Sequence, residues 1–155
     1  MALEFKYDDN LQDAFDIRLK VFIDEQGFST ELEEFDHDPH VIHMTVEEDG
    51  VPIGVSRVFP AKYEPLYADS LSAPDGAWIV GRIAVLPEKR HLKLGSKIIQ
   101  EAERIAREKG ATEMHLHAQC RAMDFYLKNG YEPYGEIVPE EGVDHQWMRK
   151  DLLAS

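Results

Sequence analysis

The chain has 155 residues, 43% of them hydrophobic and 10% aromatic, enough for one globular domain (1–155) with a core and too apolar for a disordered chain. Its net charge of −13 argues against general binding to nucleic acid or to anionic membranes. The one cysteine, Cys120, excludes an internal disulfide and a thiolate zinc site; with no signal-peptide pattern in MALEFKYDDN and no run of 18 apolar residues, a cytoplasmic protein is expected.

Leu3–Tyr7 alternates and reads as a first strand. A helix follows. Asn10 suits its N-cap and Asp13 the capping-box position; Leu11, Ala14, Phe15, Ile17, Val21 and Phe22 recur at helical spacing, and Gly27 can close it. Residues 29–40 show no clear period and read as a loop or one short helical turn. Val41–Glu47 and Ile53–Phe59 flank Glu48-Asp49-Gly50 as a β-hairpin. Pro60–Gly76 carries three prolines and reads as a surface connection, with room for a short helix over Leu66–Leu71.

Ala77–Pro87 is nearly continuously apolar, the pattern of a central strand buried on both faces. Gly81 inside it marks a bulge or a close backbone approach, and Pro87 ends it. Ser96–Lys109 is a helix with Ile98, Ile99, Ala102, Ile105 and Ala106 as its apolar stripe and Gly110 just past its end. Thr112–Gln119 reads as a strand and Cys120–Tyr131 as a short helix ending at Asn129-Gly130. Residues 135–152 form two last strands around Glu140-Glu141-Gly142. Helices alternate with strands in the second half, so the expected fold class is α/β: a mixed sheet with helices on both faces.

One stretch departs from the acidic background. Lys89, Arg90, His91, Lys93 and Lys97 cluster between the apolar strand and the helix, and no acid follows Glu88 until Glu101. The first N–H groups of a helix have no internal acceptor, and its dipole favours an anion there by about 0.3–1 kcal/mol. Gly95 lets the backbone approach a ligand without a Cβ in the way. A di- or polyphosphate is the expected guest. No G-x-x-x-x-G-K-[ST] and no G-x-G-x-x-G after the first strand is present, so neither a nucleotide P-loop nor a classical dinucleotide fold is supported.

The segment Arg90-x-x-Lys93-Leu94-Gly95-Ser96 resembles the R/Q-x-x-G-x-G/A pyrophosphate loop of the GNAT acyltransferase superfamily. Lys93 stands where the first glycine usually lies, and its side chain predicts a negative φ. Ala122-Met123-Asp124-Phe125-Tyr126-Leu127-Lys128-Asn129-Gly130-Tyr131 resembles the superfamily's A-x-x-F-Y-x-K-x-G-F segment. Arg18 to Phe22 with Glu25-Gln26, Val80 to Val85, and Glu141 to Lys150 with His145 resemble segments of its ElaA-type and YjcF-type branch. The resemblance spans nearly the whole chain. It implies a central mixed sheet of about seven strands, with the strand Ile79–Val85 splayed from Glu113–Gln119.

The same resemblance implies acetyl-CoA as donor and an amine, here of a small molecule, as acceptor. Backbone groups at Ile83, Ala84 and Val85 would hold the pantetheine arm. Amides from His91 through Leu92, Lys93, Leu94 and Gly95 to Ser96 would hold the pyrophosphate, with Arg90, His91 or Lys97 reaching phosphate oxygens. Gln119 and Phe125 complete the implied cofactor site. Tyr126 matches the tyrosine that acts as general acid toward the departing sulfur.

For the base, Glu25, His43, His115, His117 and His145 are candidates, Glu25 and His117 foremost. His115 and His117 share one face of their strand by alternation. Arg82, in an apolar strand, needs a partner if buried: a substrate carboxylate or a structural acid. The acids from Asp24 to Asp38 attract a cationic acceptor, or form a solvated loop. His37, His40 and His43 are three apart, but Pro39 prevents a regular helix, so no metal is expected. Cys120 at a helix start invites an acyl-enzyme, although direct transfer is the superfamily's norm. A protein lysine or N-terminus as acceptor, and a CoA-binding sensor with little turnover, are the rival readings. A homodimer is compatible with the resemblance.

Overall fold

A computed structural model describes residues 3–7, 11–25, 36, 39–63, 76–140 and 142–153; of residues 11–13, 24–25 and 91–92 it describes the backbone only. The expected N-cap Asn10, the closing Gly27 and the helix over Leu66–Leu71 lie outside these residues, as do the side chains of Asp13 and Glu25.

Seven strands form one sheet: β1 (Leu3–Tyr7), β2 (Ile42–Glu48), β3 (Val51–Pro60), β4 (Ala77–Val85), β5 (Glu113–Gln119), β6 (Glu132–Glu140) and β7 (Val143–Asp151). Their spatial order is β1-β2-β3-β4-β5-β7-β6. Neighbours run antiparallel except β4 and β5, which are parallel. The helices are α1 (Leu11–Arg18), which widens into a π-helical stretch over Leu19–Glu25, α2 (Leu94–Glu108) and α3 (Met123–Lys128). Short 3-10 turns precede α2 (Pro87–Leu92) and α3 (Cys120–Ala122).

The two-residue turn Asp49-Gly50 joins β2 to β3, with both φ values positive (51° and 85°), as a hairpin following the right-handed twist requires. In α2 the expected stripe of Ile98, Ile99, Ala102, Ile105 and Ala106 is buried. Most of it packs with Met44, Val46, Ile53, Met114, Leu116 and Met148 on one face of the sheet. On the opposite face Ala14, Ile17 and Val21 of the first helix meet Val55 and Ala84. Helices therefore cover both faces. The π-helical stretch begins just after Arg18, which is buried beside Ile17 and Val21. A wider turn lets this charged side chain share the inward face with the apolar ones.

The β4–β5 ladder stops early. Ala77 pairs Glu113, Trp78 pairs Met114 and Ile79 pairs His115; beyond that both strands continue unpaired with each other. β5 stays paired to β7 throughout, whereas β4 turns away along β3. The expected splay is present, and a β-bulge lies within it. Opposite Ser56 of β3, β4 carries both Arg82 and Ile83, and Arg82 takes a left-handed φ of 51°. The conformational strain thus falls on Arg82 rather than on Gly81.

Candidate active site

The splay opens onto a cavity of about 670 Å³. Ile83, Ala84 and Val85 form its β4 wall, and Phe125, Tyr126 and Lys128 of α3 line it too. Arg90, Lys93, Gly95 and Ser96 form the cationic end, and Val21 reaches in from the π-helical stretch. Along β4 past Ile79, the edge facing β5 lacks its strand partner, so its peptide groups are available to a guest.

The cationic end is built by one backbone reversal. The 3-10 turn Pro87–Leu92 runs into Lys93, whose φ of 59° and ψ of 30° are left-handed, and α2 starts at Leu94. The expected negative φ at Lys93 is therefore corrected: a lysine adopts the conformation a glycine takes elsewhere, at about 1–2 kcal/mol. The gain is geometric. A right-handed turn followed by one left-handed residue is the backbone pattern of an anion-binding nest, and here it runs directly into the first turn of α2, whose amides have no internal acceptor.

Gly95 lines the cavity and has a second reason to lack a side chain. A Cβ on Gly95 would lie 2.9 Å from Cζ of Phe125, so the missing side chain makes room for an α3 ring. Leu94 is fully buried in the core, so only its backbone belongs to the turn. Arg90 lines the cavity, and its Nε donates to the Val85 carbonyl at 3.1 Å, fastening the 3-10 turn to the end of β4. Lys89 faces away, with Nζ 2.5 Å from Glu48. Lys97 is not among the lining residues, whereas Lys128, three residues beyond Phe125 on α3, is. Gln119 accepts a hydrogen bond from Arg121 at 2.8 Å and does not line the cavity. The side chains of His91 and Leu92 lie outside the described residues.

Tyr126 borders the cavity, its ring 5.0 Å from that of Phe125. Burial pushes its phenol up to about 12, so the hydroxyl stays protonated across the working pH range. α3 ends in a Schellman closure: the Tyr131 N–H donates to the Tyr126 carbonyl, and the Gly130 N–H to that of Leu127. Gly130, at φ 93°, makes that closure possible.

The histidines divide. His43 is buried against the Asp36 carbonyl at 2.8 Å, away from the cavity. His40 stacks on Tyr63. His115, His117 and His145 lie across the sheet from α2, as alternation along β5 predicts. His115 Nδ1 lies 2.7 Å from the Tyr134 hydroxyl and Nε2 3.4 Å from Glu113, which in turn pairs with Arg149 at 2.8 Å. Burial lowers the His115 pKa, partly offset by Glu113.

His117 comes two residues beyond the last β4–β5 pair, where the strands part, but it is not among the residues lining the cavity. Its ring stacks on Trp147, and its Nδ1 lies 3.3 Å from Glu140. Nε2 is buried without a hydrogen-bond partner among the described residues. Burial, the largest influence, lowers its pKa and keeps the ring neutral, against the pull of Glu140. A carboxylate at Nδ1 favours the proton there and leaves Nε2 with a lone pair. His145 Nδ1 lies 2.8 Å from the Val143 carbonyl.

Asp36 is buried, and it is the one acid of the stretch from Asp24 to Asp38 whose side chain is described. Arg18 grips it through both oxygens at 2.8 and 3.1 Å, and Arg57 adds a contact at 2.8 Å, all three residues buried. Burying a carboxylate is tolerable only with such partners.

An open seam between two parallel strands, a cationic turn at the start of the following helix and a tyrosine thus border one cavity. The chain matches the model of the acetyltransferase (GNAT) family over residues 8–131 and belongs to that family; it is an acetyltransferase. It is similar to the uncharacterized protein YyaT of Bacillus subtilis, 33% identical over 150 residues, covering 92% of this chain and 90% of that one. It is also 31% identical over 151 residues to the uncharacterized N-acetyltransferase YjcF of the same organism, covering 97% and 99%. The crystal structure of Escherichia coli ElaA shares the fold, with a TM-score of 0.80 at 19% identity over 97% of this chain and all of that one.

Proposed function

We propose that the protein transfers an acetyl group from acetyl-CoA to a primary amine of a small molecule by direct attack. The observation carrying this reading is the cavity itself. The anion cradle at Lys93–Ser96 closes one end, and the unpartnered edge of β4 and Tyr126 line the rest. Amides of the Lys93 turn and the first turn of α2 hold the diphosphate, with Arg90, Lys93 and Lys128 supplying charge. The free edge of β4 around Ile83–Val85 hydrogen-bonds the pantetheine amides. Bound there, acetyl-CoA supplies an activated acetyl carbon and a thiol leaving group.

The chain's own groups handle the protons. An alkylamine is mostly protonated near neutral pH; it gives its ammonium proton to solvent before attack, and His117 Nε2, neutral and without a partner among the described residues, accepts the proton the attacking nitrogen loses as the amide forms and returns it to the departing thiolate. Glu140 steadies the imidazolium that forms. Tyr126 donates a hydrogen bond to the departing sulfur. A thiolate of ordinary basicity, with a conjugate acid near about 8.5, is a weaker base than this buried phenolate, so the phenol stabilises it without surrendering its proton. Holding both reactants in the seam contributes more than either group; well-oriented reactants gain roughly 7–11 kcal/mol.

Thiol release from acetyl-CoA, followed with a panel of diamines, polyamines and amino sugars, tests the proposal. Amine-dependent release with mass-confirmed N-acetyl product supports it. Tight acetyl-CoA binding without release under any amine contradicts it and favours a CoA-responsive binding protein.

A further inference from the structure

The side chain of Asn129 joins two parts of the site that the chemistry keeps separate. Its Nδ2 donates to the Ser96 hydroxyl oxygen at 3.2 Å, in the first turn of α2, and to the Phe125 carbonyl at 2.9 Å, in α3. The backbone carbonyl of Asn129 accepts from Lys150 Nζ at 3.0 Å. That ammonium also pairs at 2.9 Å with Glu103, a buried acid in the middle of α2. The second oxygen of Glu103 accepts from the Tyr131 hydroxyl at 2.8 Å, and the Tyr131 ring stands edge-on to that of Tyr126, 6.4 Å between centroids.

Every link bears on where Tyr126 sits. The α3 helix spans only Met123–Lys128 and buries none of its residues fully, so core packing alone fixes it weakly. Polar ties to α2 fix it instead. A hydroxyl has one proton to give and two lone pairs. With Asn129 donating to Ser96 Oγ, the Ser96 proton is free to donate into the cavity, where this residue lines the cationic end. A phosphate oxygen taking that proton polarises the hydroxyl and tightens the bond from Asn129, as chained hydrogen bonds do.

We propose that Asn129 is a positioning residue that couples occupation of the phosphate cradle to the placement of Tyr126. The inference rests on the donor reading above. Diphosphate binding at α2 draws in Ser96, Ser96 draws Asn129, and Asn129 carries α3 into register with the seam. The tyrosine is then set by the end of the donor farthest from the reacting carbon.

The test uses adenosine 3′-phosphate 5′-diphosphate, the half of CoA that lacks the pantetheine arm and cannot touch Tyr126. The protein is labelled with 3-fluorotyrosine, and the Tyr126 signal is assigned by its loss in Tyr126→Phe. The nucleotide should shift that ¹⁹F resonance in the wild type. In Asn129→Ala the nucleotide should bind and the resonance stay still. If Asn129→Ala does not fold, Ser96→Ala breaks the same link from the other helix and should silence the shift. Turnover gives a second reading. The ratio of kcat with acetyl-CoA to kcat with acetyl-pantetheine should be about fivefold or more in the wild type, the lower range of coupling between sites. It should fall to about one in Asn129→Ala. Nucleotide binding without a wild-type shift, or an equal shift in wild type and variant, overturns the coupling and leaves the donor reading intact. Failure of the nucleotide and of acetyl-CoA to bind overturns both.

Discussion

Replacing Gly95 with alanine probes the contact on which the site's shape depends. Carbon atoms pack best at about 3.5–4.0 Å. The new methyl would stand 2.9 Å from Cζ and 3.2 Å from Cε1 of Phe125, so the ring must retreat by most of an ångström. Overpacking of this kind costs about 1–3 kcal/mol. Alanine in place of glycine in a helix returns up to about 1 kcal/mol. The net expectation is a loss of about 1 kcal/mol, a fall in Tm of about 2–4 °C for a chain of this size. The double variant Gly95→Ala, Phe125→Leu isolates the cause. Leucine vacates the space the methyl needs, so thermal or urea unfolding should show the two changes coupled by about 1 kcal/mol. Turnover should fall in Gly95→Ala, because Phe125 carries its neighbour Tyr126 with it. Strict additivity of the two changes, or a single variant more stable than the wild type, would refute the close-packing argument.

Lys93→Gly should raise stability by about 0.5–1 kcal/mol, since relief of the left-handed cost outweighs the entropy glycine adds to the unfolded chain; equilibrium unfolding measures this. The same change should raise KM for acetyl-CoA a few-fold through the lost cation. Tyr126→Phe should lower kcat by about 10²-fold, the scale for losing one hydrogen-bond donor to developing negative charge, with acetyl-CoA affinity nearly unchanged in titration. Folding stability should decline as pH drops from 7 to 5.5. His115 and His117 resist protonation when folded but take protons at the ordinary value near 6.5 when unfolded, so the unfolded state binds more protons in that range. A flat or rising Tm over this interval would contradict it, and His117→Gln should flatten the slope.

Much of the fold was legible because its elements are locally consistent. The stripe of Ile98, Ile99 and Ala102 and the turn at Asp49-Gly50 each specify one structure. The long apolar run of β4 announced a strand buried at the centre. The bulge was legible only as an irregularity, because register depends on β3 and not on β4 alone; it moved from Gly81 to Arg82. Lys93 misled for a related reason: intrinsic preference disfavours a left-handed lysine, but chain reversal between β4 and α2 overrides it. The cation cluster lies at one end of the cavity, but its spacing does not tell which of its side chains line it. Which of its side chains face the cavity depends on the 3-10 turn, which sends Lys89 to Glu48 and leaves Lys128, distant in sequence, to take its place. The contacts of Glu140 with His117 and of Asn129 with Ser96 escaped notice because each joins two elements distant in sequence. Spacing along one segment does not reveal such a pairing.

The amide resonances of the free protein, followed as acetyl-CoA is added, test the central claim most directly. The account predicts that the largest shifts fall on the backbone of Lys93 to Ser96 and along Ile83 to Val85, saturating together with one affinity. Saturable binding that leaves those amides unmoved, and perturbs another face of the sheet, would contradict it.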